Sequence, residues 1–206
     1  MAETLKKGLS GEERRKLLKI LTYEKVNGKP IYYRDYRKVL KGELPPEAVM
    51  GSSGLQALII RLIVEFLLKT LDLSRYEILF NEVGFLHKKS SWRNLDIAIF
   101  EKEKLEPYLM QDKLISVPPK VVIEVDTKAD LSKYKSFEAY MYEKTQELLN
   151  AGVEKVIWIV TKPKKILIAE QGRKWIIQDI DEDIEVLANI KFKIPQLFKE
   201  RGYRLW

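Results

Sequence analysis

The feature that most constrains this chain is a crossover unit spelled out over residues 121–160. Val121-Val122-Ile123-Glu124-Val125 is a short, almost wholly β-branched run introduced by Pro118-Pro119. Val156-Ile157-Trp158-Ile159-Val160 forms the heart of a second buried run over 153–161. Between them, residues 131–151 have helical periodicity and stop at Gly152, the residue type that closes a helix in the left-handed conformation. Two strands joined by a helix of this length run parallel. An α/β fold follows, with at least one helix packed on a mixed sheet.

The rest of the chain fills in around this unit. Ser10-Gly11-Glu12-Glu13 is a capping box and predicts a helix over 11–21. Residues 23–33 read as a β-hairpin turning at Asn27-Gly28, and 33–40 as a short basic helix closed by Gly42 and Pro45-Pro46. Gly51-Ser52-Ser53-Gly54 introduces a helix over 53–70, apolar on nearly every side and so expected in the interior. Strands are expected at 76–85 and 92–100, joined by a polar connection holding His87, Lys88, Lys89, Ser90 and Ser91. A charged, helix-like segment covers 101–112, a hairpin turns about Gln171-Gly172, and a strand at 190–194 precedes a last turn from Pro195. The expected organisation is a helical extension over 1–21 and one domain over 22–206.

Composition narrows the chemistry. The chain has 206 residues, enough for a core that needs neither metal nor disulfide, and it contains no cysteine. Disulfides, thiolate zinc sites and cysteine nucleophiles are excluded. The longest apolar stretch, 55–68, is interrupted by Gln56, Arg61 and Glu65 and is too short to span a bilayer. With no basic-then-apolar leader, a cytoplasmic location is expected. The formal net charge is +7, most of it in the first quarter of the chain. That distribution suits either a polyanion-facing arm or a lysine-rich surface serving solubility.

Three residues stand out against their surroundings. Alternation along 92–100 puts Leu95, Ile97 and Ile99 on one face and Asp96, Ala98 and Phe100 on the other, so Asp96 is an acid in apolar company. Glu124 likewise interrupts a run that otherwise reads as a fully buried strand. Two such carboxylates can converge on one hard cation, and Mg²⁺ (or Mn²⁺ in its place) takes oxygen ligands of this kind. In the helix, Phe137, Met141, Lys144 and Leu148 form one stripe, which turns Lys144 toward the sheet. A core-facing lysine needs an anion.

The segments Arg93-Asn94-Leu95-Asp96, Pro119 through Val125 and Lys144 through Val160, together with Tyr23-Glu24-Lys25-Val26-Asn27-Gly28-Lys29, resemble the Uma-two family of restriction-endonuclease-like proteins, within the PD-(D/E)XK nuclease superfamily. The resemblance implies a restriction-endonuclease-like mixed β-sheet flanked by helices, with a small N-terminal helical and hairpin extension. It also implies Mg²⁺-dependent hydrolysis of phosphodiester bonds in DNA, with a homodimer as one way to cut two strands. By the same resemblance Asp96 and Glu124 are the metal carboxylates, the Val125 main-chain carbonyl is a third ligand, Lys144 is the catalytic lysine, and Glu24 is an additional acid. Asp126 and Gln146 are further candidates for the cluster. Leu95 departs from the family's proline, Asp126 from the superfamily's strand lysine, and Gln56 from a histidine.

Nucleic-acid contacts are expected from Arg34, Arg37, Lys38, Lys88, Lys89 and Arg93. Tyr32, Tyr33 and Tyr36 either stack on bases or pack inward beneath these cations. His87 reads as part of a solvated loop. Besides the nuclease, two other readings stay open on the same fold: a catalytically decayed nucleic-acid-binding module, and a protein-interaction module.

Overall fold

A computed structural model describes residues 9–204, so the outer ends of the two expected domain ranges, 1–8 and 205–206, lie outside the described residues. Ser10 caps helix α1 (Gly11–Ile20): its hydroxyl accepts from the Glu13 N–H, while the Glu13 carboxylate takes the Ser10 N–H. Strands β1 (Thr22–Val26) and β2 (Lys29–Tyr32) form the hairpin, with Asn27 and Gly28 both at positive φ as its turn requires. The basic helix is shorter than its sequence suggests. Asp35 takes a left-handed conformation and Tyr33 bridges to Ala129, so α2 spans only Tyr36–Leu40. A single turn, α3 (Glu47–Met50), leads to α4 (Gly54–Thr70), which is capped by Ser53. Helix α4 buries one broad face through Ile59, Leu62, Ile63, Val64 and Leu67. Its other side meets solvent, Leu68 being half exposed, so it is not the all-round interior helix expected.

Strands β3 (Tyr76–Lys88) and β4 (Ser91–Glu101) are longer than their apolar runs, and they absorb most of the polar connection between them. The charged segment yields α5 (Lys102–Leu109). The crossover unit is β5 (Val121–Val125), α6 (Phe137–Asn150) and β6 (Lys155–Val160), with β5 and β6 parallel as the sequence predicts. The chain continues through β7 (Lys165–Glu170), β8 (Ile176–Asp179), β9 (Ile184–Leu187), β10 (Ile190–Phe192) and α7 (Ile194–Lys199). The sequence reading missed β9, which pairs with β10 in a small second sheet.

The main sheet has eight strands in the order β2-β1-β4-β5-β6-β7-β8, with β3 paired along β4. One face packs Ile97, Ile99, Ile123 and Ile157 against α4 and α7. The other packs Ala98, Phe100, Val122, Val156 and Trp158 against Tyr140, Leu148 and Leu149 of α6. Truncating any of these large buried side chains to alanine costs about 2–5 kcal/mol, so the two clusters fix the sheet rigidly between its helices. No helix among the described residues is long and apolar enough to cross a membrane.

Candidate active site

Strand β4 frames the site. Its whole length pairs with β3, but its other edge is divided between two strands: β5 pairs at Ile97, Ala98 and Ile99, and β1 at Trp92. Residues 93–96 on that edge have no strand partner, and side chains take up the backbone groups left over. The Asn94 N–H donates to Glu24 Oε1 (3.3 Å), and the Asn94 carbonyl accepts from Lys144 Nζ (2.6 Å). Across the gap, Asp96 Oδ2 accepts from the Val125 N–H at 2.8 Å.

The β3 side is also irregular. Phe80 pairs with Ile97 and Val83 with Leu95, so Asn81 and Glu82 stand opposite Asp96 in a β-bulge, both at positive φ. Asp96 therefore lies where the sheet yields on both sides. Strict alternation fails at this point: Leu95 joins the cluster of Ala98 and Phe100, not that of Ile97 and Ile99.

Lys144 enters from α6, whose buried residues Tyr140, Lys144, Thr145, Leu148 and Leu149 form the sheet-facing stripe. The Thr145 hydroxyl accepts from Trp158 Nε1 (2.8 Å), and the Trp158 ring lies 5.4 Å from Lys144 Nζ. The ammonium donates to the Asn94 carbonyl and to Glu124 Oε2 (2.9 Å), and it meets Glu24 Oε1 at 2.9 Å. Lys144 and Glu24 are fully buried, and Glu124 is 1% exposed. The structure thus gathers Glu24, Asp96, Glu124, Val125 and Lys144 at the split edge of β4.

Arg93 is where a phosphate contact was expected, and the structure corrects that expectation. Its guanidinium is fully buried and bound to Glu24 (2.8 Å), Glu147 (2.7 Å) and Glu143 (3.1 Å), so it has nothing to offer solvent. Tyr140 adds a hydroxyl donor to Glu24 Oε2 at 2.8 Å. Glu143 and Glu147, which bracket Lys144 in α6 at helical spacing, are the clue the sequence offered for this network. His87 is corrected as well. It lies within β3, nearly buried, with Nε2 3.7 Å from Glu147 and without a hydrogen bond.

The further candidates do not join the cluster. Asp126 follows the end of β5 at positive φ, which turns its carboxylate away to the Thr161 N–H (2.9 Å) and hydroxyl (2.7 Å). Gln146 reaches one turn along its helix to Asn150. Lys88 and Lys89 are exposed at the β3–β4 turn. Arg34, Arg37 and Lys38 are exposed too, each tied locally, to the Thr127 carbonyl, Ser132 and Asp35 respectively. Tyr33 packs inward, edge-on to Tyr23, while Tyr32 stacks on Tyr36. Gln56 is buried in the first turn of α4, and its amide donates to the Val125 carbonyl at 2.8 Å.

Burial and charge act on the acids in opposite directions. Burial would raise Glu24, but Lys144 and Arg93 outweigh it and hold its carboxyl below the usual range. Glu124 is pushed up to about 8, chiefly by burial and further by Asp96, with Lys144 opposing. Burial also raises Asp96, against the hydrogen bond from Val125 and the charge of Lys144. Glu124 Oε1 is buried and takes no hydrogen bond. That oxygen is free to accept a proton, a cation or a water O–H. Among the described residues no three His, Asp or Glu side chains form a group that could hold a metal ion.

Two cavities flank the site. One of about 530 Å³ is lined by Asp96, Glu82, Ser52 and Arg61 among others. The other, about 790 Å³, is lined by Gln56, Asp126, Lys128, Arg34 and Lys162 among others.

No family model matches the sequence, and no curated protein matches it. Among solved structures, the chain is similar to a protein from Anabaena variabilis ATCC 29413 described as a "putative nuclease belonging to DUF820". The TM-score is 0.61 at 14% identity, and the match covers 85% of this chain and 89% of that one. The architecture is the restriction-endonuclease-like α/β fold that the resemblance implied.

Proposed function

We propose that the protein is a metal-dependent nuclease that hydrolyses phosphodiester bonds in DNA with Mg²⁺, for which Mn²⁺ can substitute. The observation that carries this reading is Glu124: a sealed carboxylate, raised to about 8, with one oxygen fixed by Lys144 and the other without a donor. The description of the Anabaena protein as a putative nuclease supports it at the level of a shared fold.

The donor set fits a hard divalent cation. Asp96 has one oxygen fixed by the Val125 N–H, Glu124 has one fixed by Lys144, and the Val125 carbonyl is aimed by Gln56 while keeping a second lone pair. Asp96, Glu124 and the Val125 carbonyl would hold the ion. When bound, it supplies polarisation of a phosphodiester oxygen and acidification of a water.

The chain's own residues do the positioning. All three donors of Lys144 are spent on Asn94, Glu124 and Glu24, so it acts as a positioning residue for Glu124 and not as a direct phosphate contact. Glu24 balances Lys144 and Arg93 and holds the ammonium in register.

One observation favours a second reading, a binding module without catalysis: Glu124 is 1% exposed and the Val125 carbonyl already holds the Gln56 amide. The test is cleavage of supercoiled and single-stranded DNA by wild type and Asp96→Ala across an Mg²⁺ or Mn²⁺ titration. Metal-dependent cleavage lost in Asp96→Ala supports the nuclease. Salt-sensitive DNA retention without cleavage by wild type supports the binding module.

A further inference from the structure

Resting on the nuclease reading, we propose that Lys128 is the residue that grips a phosphate of the bound strand, and that Glu82 holds it in reserve until the strand arrives. Two cations bear on Asp96: Lys144 and Lys128. Lys144 has no donor to give. Lys128 follows β5 by three residues, its side chain 12% exposed, and its ammonium is ion-paired with Glu82. The same ammonium lies 3.3 Å from the Met50 carbonyl, 3.4 Å from Ser52 Oγ and 5.9 Å from the centre of the Tyr33 ring. The Tyr33 hydroxyl donates to the other Glu82 oxygen at 2.8 Å.

The position of this pair gives it a role. Lys128 lines the larger cavity and Glu82 lines the smaller one, where Asp96 surfaces. Gly51 and Ser53 border the first and Ser52 the second, so the ion pair and the loop it fastens form the partition between them. Glu82 owes its aim to the bulge, where two consecutive non-glycine residues hold positive φ, a strained arrangement that persists only when the surroundings enforce it. The larger cavity carries Arg34, Lys128 and Lys162 against Asp35, Asp126 and Glu138. While Glu82 holds Lys128, that lining offers a polyanion Arg34 and Lys162 against three acids, and displacing Glu82 adds Lys128 as a third cation. A phosphate offers the acceptors that Glu82 gives up, toward both Lys128 and Tyr33, and the exchange opens a path from the larger cavity to Asp96.

The test measures binding of a fluorescein-labelled single-stranded oligodeoxynucleotide to the full chain by anisotropy, in EDTA so that nothing is cut, across a salt series. Glu82→Gln is expected to bind about fivefold or more tightly than wild type, since it frees one phosphate-pairing cation. Lys128→Met is expected to bind more weakly, with the logarithmic salt slope reduced by about 0.7, the value for one contact to a single strand. The double variant should bind as weakly as Lys128→Met. A gain of affinity in Glu82→Gln cannot come from misfolding, and Lys128→Arg, which keeps the charge, should bind like wild type. If wild type binds and cleaves while Glu82→Gln binds no tighter, or if the double variant keeps the gain, this inference is overturned and the nuclease reading stands. If wild type neither binds the strand nor cleaves with metal, both fall together.

Discussion

Replacing Glu124 by glutamine is expected to make the metal-free protein more stable, although it removes the centre of the proposed site. The carboxyl ordinarily titrates at 4.5 and in the folded chain at about 8. Between those values the folded chain holds a proton that the unfolded chain has released, so wild-type stability falls as pH rises through that window. The slope is about 1.4 kcal/mol per pH unit, which by pH 7 amounts to about 3 kcal/mol. Glutamine mimics the protonated acid: its oxygen still accepts from Lys144, and its amide stands where the donor-less Oε1 stood. Part of the gain is lost because the buried amide carries two N–H donors where the protonated acid carries one O–H, leaving about 1–3 kcal/mol in favour of the variant. The assay is urea denaturation of both proteins in EDTA from pH 5 to 8. The variant should gain on wild type steadily with pH and match it near pH 5. A glutamine variant less stable than wild type at pH 7, or a difference that ignores pH, would refute the reasoning.

Five further outcomes are expected. Lys144→Met should lose about 3 kcal/mol in the same denaturation assay, at the low end for a broken buried pair, because Glu124 can take a proton and Glu24 keeps Arg93 and Tyr140. Mg²⁺ affinity should rise about tenfold per pH unit below pH 8 and level off above it, with one proton released per ion by calorimetry in buffers of different ionisation enthalpy. Arg93→Met should cost about 3–5 kcal/mol by leaving Glu24 and Glu147 short of a partner, whereas Lys88→Ala with Lys89→Ala should leave the melting temperature alone and act only on the salt dependence of DNA binding. Gly152→Ala should cost about 1–3 kcal/mol in thermal unfolding, since the residue sits at φ +102 with Pro118 Cγ 3.2 Å from where a Cβ would lie.

Much of the fold was legible because its signals are local. The capping box at Ser10, the Asn27-Gly28 turn and the crossover ending at Gly152 each commit a few neighbouring residues to one geometry. Lys144 was legible for the same reason, since a stripe on one helix says which way it points. Arg93 was not. It follows closely on the polar, basic stretch His87-Lys88-Lys89-Ser90-Ser91, and the three glutamates that bury it arrive from β1 and α6, 50 or more positions away. Glu82 and Lys128 were hidden for a different reason: no glycine marks the bulge, so nothing in Asn81-Glu82 announces that the strand breaks step there. Strand β9 went unseen because its four residues follow the acidic run 179–183 and contain only two buried side chains.

The gap along β4 has a consequence for how such chains change over generations. Glu24, Lys144 and Asp96 do for the sheet what a missing strand would do, closing the Asn94 amide and carbonyl on β4 and the Val125 amide on β5. A descendant without the proposed activity would still unravel at this seam without them. Retention of these ionic residues across a lineage therefore testifies to architecture first. Groups with no mending duty, such as Glu124 Oε1 and the cation that Glu82 restrains, are the better markers of whether the chemistry persists.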